Sequence, residues 1–129
     1  MSTPFVDLVA LAALCQLFVF GYLVGGARTK YGVKAPAVTG HEMFERAYRV
    51  QMNTLELSVL FLPTLYIAAR YWPAGAVAGL GAVYVVGRQI YRQAYVRDPA
   101  SRGLGFVVSI VPIALLLVGG AVGALRQLA

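Results

Sequence analysis

The sequence predicts an all-α integral membrane protein, a four-helix bundle with up-down, antiparallel connections. Three observations carry that prediction. The 129 residues are 60% hydrophobic and only 12% charged, with a mean hydropathy of +0.73, which is too apolar for a water-soluble domain of this length. Four long apolar segments are separated by breaks rich in Pro, Gly or basic residues. The basic residues collect in the first and third of those breaks, as membrane topology requires. One domain over residues 1–129 is expected.

Helix one is expected over about 4–27. Its uncharged core from Leu8 to Gly26 is long enough, at about 1.5 Å per residue, to cross the hydrocarbon of a bilayer. The N-terminus shows no positively charged leader, so this segment is expected to be retained as a span. Asp7 reads as a solvated helix-end charge, Cys15 as a helix-packing residue, and Gly21, Gly25 and Gly26 as sites of close helix contact. A basic loop follows, with Arg28, Lys30 and Lys34. Thr39 and Glu42 have the spacing of a capping box, so helix two should open near His41, itself read as a surface residue, and run to about 71 with a kink at Pro63.

Trp72 and Pro73 form a tight turn, with Pro73 suited to the first position of helix three over about 73–97. Tyr66, Tyr71 and Trp72 fit an interfacial aromatic belt. Asp98 and Pro99 read as N-cap and first residue of helix four, over about 99–126, bent at Pro112. Short connections make neighbouring helices antiparallel, so loops one and three share one side with Arg28, Lys30, Lys34, Arg46, Arg92, Arg97 and Arg102. The other side holds only Arg70 and Arg126, which assigns the first side to the cytoplasm, and the compact loops and lack of a targeting segment suit a bacterial inner membrane. The net charge of +6 thus reports topology and not nucleic-acid binding. A single cysteine allows no intrachain disulfide and no cysteine metal cluster.

The informative stretch is FERAYRVQMNTLE, Phe44 to Glu56, which carries charge into an apolar helix. Arg46, Arg49, Asn53 and Glu56 share one helical face, and on helix three Tyr84, Arg88, Tyr91 and Tyr95 share another. Charge in an apolar setting needs partners. Such stripes serve either an ion-pair network that fixes packing or a polar pocket for a charged ligand. Arg49, Asn53, Glu56, Arg88, Tyr91, Tyr95 and Arg102 all come to one end of the bundle. Their excess of cation with one deep carboxylate suits a small anionic or zwitterionic ligand, because arginine forks hold carboxylates and a glutamate pairs with an ammonium.

These residues resemble a known family. FERAYRVQMNTLE is similar to the second-helix signature of the MAPEG family, the membrane-associated proteins in eicosanoid and glutathione metabolism. Arg88, Tyr91 and Tyr95 in GRQIYRQAY match its third-helix signature, and RGLGF from Arg102 resembles the start of helix four in its microsomal glutathione transferases. The resemblance implies a homotrimer with glutathione between neighbouring subunits near the cytoplasmic face. It implies that Arg49, Asn53, Glu56, Tyr91 and Tyr95 hold glutathione from one subunit, with Arg88 within or beside that network. Arg28 and Gln51 would reach in from the adjacent subunit, and Arg102 would activate the thiol. The second substrate would be an apolar electrophile or lipid hydroperoxide arriving through membrane lipid. The chain departs from the leukotriene-forming branch at Leu57, where a tyrosine is expected, and at Thr29, where a basic residue is expected. A non-catalytic lipid- or glutathione-binding scaffold of the same family is the alternative. Its lipoxygenase-activating branch lacks the arginines that stand here as Arg49 and Arg102. A small multidrug transporter is the remote alternative, and it lacks support because helix one has no central carboxylate.

Overall fold

The computed structural model describes residues 4–129, so the reading of the extreme N-terminus lies outside the described residues. Four helices make up the fold: α1 (Pro4–Tyr31), α2 (Glu42–Ala69), α3 (Ala74–Arg97) and α4 (Gly103–Arg126), with a 3-10 turn at Pro99–Ser101 before α4. The described residues contain no strand. Three stretches are long and apolar enough to cross a membrane: Pro4–Tyr31, Glu42–Ala69 and Pro99–Arg126. The 24-residue α3 is not among these three. Arg88, Arg92 and Arg97 crowd its C-terminal half, and the other helices surround it.

Neighbouring helices run antiparallel. Arg46, near the start of α2, donates to the carbonyls of Val96 and Arg97 at the end of α3. Tyr66, near the end of α2, donates to Asp7 at the start of α1. Trp72, after α2, donates to the Gly119 carbonyl near the end of α4. Helices α2 and α3 each pack against all three others and form the centre of the bundle. The main core, with Leu57, Phe61, Leu65, Val77 and Leu116, lies towards the end away from the basic loops. Phe61 and Tyr84 stack within it at 3.9 Å between ring centroids. Smaller clusters, one around Phe44 and Val24 and one around Phe20, Val50 and Tyr91, fill the cationic end.

Several boundaries differ from those read off the sequence. Helix α1 continues through Arg28 and Lys30 to Tyr31, because cations in a last turn favour the negative end of the helix. Gly32, with φ of +69°, then ends it in the left-handed conformation that suits glycine. The N-cap of α2 is His41 and not Thr39: its Nδ1 accepts from the Met43 N–H, while Glu45 Oε2 accepts from the Gly40 N–H. Pro73 is the N-cap of α3 and not its first residue. Asp98 does cap, accepting from the Ala100 N–H, but it opens the 3-10 turn and leaves Arg102 at the N-cap of α4. Cys15 is exposed on the outside of the bundle and is not part of its packing. Asp7 accepts from the Tyr66 hydroxyl at 2.9 Å.

Two glycines set the distance between α3 and α4. A Cβ on Gly87 would stand 2.7 Å from the Ser109 nitrogen, and one on Gly105 would strike the backbone of Tyr91. Both are buried, so the two backbones approach without side chains between them. Gly87→Ala is therefore expected to cost about 1–3 kcal/mol through overpacking. Gly79→Ala, where a Cβ meets nothing within 4 Å, should be neutral or slightly stabilising. Thermal unfolding in detergent measures both; equal melting temperatures would show that the helices are not in close contact at Gly87.

Candidate functional site

The site is built on the buried guanidinium of Arg88. It sits in α3 one residue after the close approach at Gly87, and it is fully buried. Its Nε donates to Ser109 Oγ on α4 at 2.9 Å. Its Nη1 donates to Asn53 Oδ1 at 2.6 Å and to Thr54 Oγ1 at 3.3 Å, both on α2. Its Cζ lies 4.3 Å from the Tyr91 ring centroid, and among the described residues Nη2 has no hydrogen-bond partner. The aromatic face supplies attraction where an oxygen is missing. One side chain thus ties α2, α3 and α4 together, and among the described residues no carboxylate takes part.

The other site residues stand around this centre. Arg49 and Glu56 pair at 3.3 Å across two turns of α2, and both remain about half exposed. Tyr91 is buried and stacks on Tyr95 at 5.5 Å. Arg88 lies over the Tyr91 ring, and Arg102 stands one turn before Gly105, whose backbone meets that of Tyr91, so these residues share one end of the bundle. Arg102 is exposed at the start of α4 and donates to the Pro99 carbonyl at 3.0 Å. Arg49 and Tyr95 also line an open cavity of about 440 Å³ with Thr39, Glu42, Glu45 and Arg46. Arg46 is held there by Glu42 in the preceding turn. Both ion pairs of the described residues lie within α2, so the stripe is not an interhelical ion-pair network.

Two predicted site residues lie elsewhere. Gln51 lines a different cavity, of about 490 Å³, with Leu14, Leu17, Phe18, Gly21 and Tyr22. Arg28 donates to the Ala37 carbonyl and lies over the Phe44 ring at 4.7 Å. Leu57 faces the core, so a tyrosine at that position is not simply replaced in an open pocket. Thr29 Oγ1 turns back to the Gly25 carbonyl at 3.4 Å.

The sequence reading missed Thr54 and Ser109. Both are buried, and each donates to its own helix four residues back, Thr54 to Val50 and Ser109 to Gly105. That leaves their oxygens as acceptors for Arg88. A lone hydroxyl four residues after Gly105 in an otherwise apolar helix is the signal that could have found Ser109.

Fold and site together define a helical membrane protein with a cation-rich, aromatic-walled polar cluster at one end. The MAPEG family profile matches residues 6–122, and the chain belongs to the MAPEG family. It is 40% identical over 115 residues to human microsomal glutathione S-transferase 2, covering 89% of this chain and 78% of that protein. It is 36% identical over 117 residues to bovine leukotriene C4 synthase, covering 91% of this chain and 77% of that one. The cyanobacterial protein sll1147 of Synechocystis is 43% identical over 121 residues, covering 94% and 88%.

Ser109→Ala would leave a buried charged N–H unsatisfied, at a cost of about 1–3 kcal/mol. Arg49→Gln removes an exposed ion pair, for which about 0–1 kcal/mol is expected. In detergent the first variant should melt well below the second; the reverse order would mean that Arg88 does not organise the bundle.

Proposed function

We propose that the protein is a membrane glutathione transferase, in which Arg102 activates the glutathione thiol for attack on apolar electrophiles. The observation that carries the reading is the meeting of Arg49, Asn53, Glu56, Arg88, Tyr91, Tyr95 and Arg102 at one end of the bundle. Kinship to a glutathione S-transferase and to a leukotriene C4 synthase supports it. The chain works as one domain over residues 1–129 and assembles as a homotrimer, in which Arg28 and Gln51 serve the site of a neighbouring copy. Loops one and three face the cytoplasm of a bacterial inner membrane, where a water-soluble thiol is supplied. The same thiolate reduces lipid hydroperoxides as a side activity.

Glutathione carries two carboxylates, one ammonium and a thiol. The arginines suit the carboxylates and Glu56 suits the ammonium. A free thiol titrates near ~8.5, and only its thiolate is a good nucleophile. Lowering that value by about two units takes ~2.7 kcal/mol of preferential thiolate stabilisation. One charge-assisted hydrogen bond contributes roughly 1.5–3 kcal/mol, so Arg102 nearly suffices. Its place at the N-cap of α4 adds the positive end of the helix to the same charge. The thiolate sulfur then bonds to the electrophilic carbon, whose displaced electron pair leaves with the departing group or takes up a proton. With a hydroperoxide, the sulfur attacks the O–O bond and releases an alcohol. A second glutathione then converts the resulting sulfenic acid to the disulfide and water.

Arg102→Ala is expected to bind glutathione and to lose the thiolate. An ultraviolet difference spectrum with glutathione at neutral pH should show the thiolate band in the wild type and not in the variant. Arginine holds the thiol pKa below its free value, so its loss raises that pKa by about one to two units. The conjugation rate at pH 7 should then fall roughly 10- to 100-fold and recover as pH rises through ~8.5. A variant that conjugates at the wild-type rate at pH 7 would remove Arg102 from the mechanism.

A further inference from the structure

We infer that Arg88 is a positioning residue that fixes the polarity of the Asn53 carboxamide, so that Asn53 can only donate to the substrate. The inference rests on the glutathione reading proposed above. An asparagine side chain offers an acceptor at one end and two donors at the other, and it can turn to present either. A guanidinium has five donors and no acceptor. The Asn53 atom that meets Arg88 Nη1 at 2.6 Å must therefore be Oδ1, and the short distance fits a charge-assisted bond. The reversed rotamer would set N–H against N–H beside a fully buried cation.

Arg88 itself cannot turn to follow the amide. Ser109 holds its Nε from α4, and the Tyr91 ring flanks its plane. With Oδ1 committed inward, the planar carboxamide aims Nδ2 and both its hydrogens away from Arg88. Among the described residues, Nδ2 makes no hydrogen bond, and Asn53 is only half-buried. On α2, Asn53 stands four residues after Arg49 and three before Glu56, on the face that those two residues share. The side chain thus reads an acceptor group, a carboxylate or a peptide carbonyl oxygen, and rejects a donor at that point. Arg88 shapes specificity without touching the substrate.

Variants at Asn53 and Arg88, measured by titration calorimetry with glutathione and by melting temperature in detergent, test this. Asn53→Asp keeps the shape and accepts from Arg88 more strongly, so the protein should melt at or above the wild type. It loses both donors and sets a negative charge against the acceptor, so glutathione affinity should fall at least 30-fold. Affinity within threefold of the wild type would overturn the proposal. Arg88→Met frees the amide, and Ser109 and Thr54 keep their own-helix acceptors, so it should weaken glutathione binding at least fivefold. In an Asn53→Ala background the same change should have no further effect on affinity; an undiminished effect there would show that Arg88 does not act through Asn53. If the wild type itself binds no glutathione, the transferase reading fails, and the lock is judged from stability. Asn53→Asp at or above the wild type with Asn53→Leu well below it supports the lock. Equal melting temperatures for all three overturn it.

Discussion

The structure depends on how a fully buried arginine is accommodated in an apolar bundle. A guanidinium stays charged, so the protein has to surround it with acceptors or leave it in water. Here the acceptors are an amide, two hydroxyls and an aromatic face from three helices. None of these is ionised, so the site keeps its positive charge. A carboxylate partner would have neutralised Arg88 and left a closed packing device. Instead the cation rests on the Tyr91 ring, on the same end of the bundle as the half-exposed Arg49–Glu56 pair.

Helix packing serves the same end. Arg88 reaches Ser109 because Gly87 and Gly105 let α3 and α4 come together at the backbone. It reaches Asn53 because α2 runs antiparallel to α3 through the centre of the bundle. The apolar stacking of Phe61 on Tyr84 lies further along the same helices, so the core and the polar cluster share their supports. The charges proposed to hold a ligand are the ones left loosely held. Arg49 and Glu56 are exposed and paired at 3.3 Å, and among the described residues Arg102 is tied to a carbonyl within its own turn.

Much of this was legible in the sequence, and the limits have physical causes. Spans, their order and their antiparallel course follow from hydropathy and the placement of basic residues, which are strong and periodic signals. Arg88, Asn53, Tyr91 and Tyr95 were legible because a polar residue in an apolar helix must be explained. Ser109 and Thr54 were not, since a hydroxyl can satisfy itself on its own helix and so leaves no debt visible in the sequence. Helix ends were misjudged where two caps compete. Thr39 has the capping-box spacing, but His41 takes the role through its ring nitrogen and stacks on Tyr31 at 4.3 Å. Basic residues after Gly26 read as loop, yet they extend α1, because the last turn of a helix favours cations.

The placement of Gln51 bears on what one chain can do alone. Asn53 and Gln51 are two residues apart on α2, so a helix sends them about 200° apart. Asn53 turns towards α3, while Gln51 turns towards the α1 groove, against Gly21. One small ligand in one chain cannot touch both. If both contact glutathione, as proposed, then Gln51 serves the ligand of another copy, and each ligand sits where two chains meet. Asn53 would then gain a second reason for a fixed orientation. At a seam between chains its donors have to be aimed before the partner arrives, and Arg88 does this from inside a single bundle.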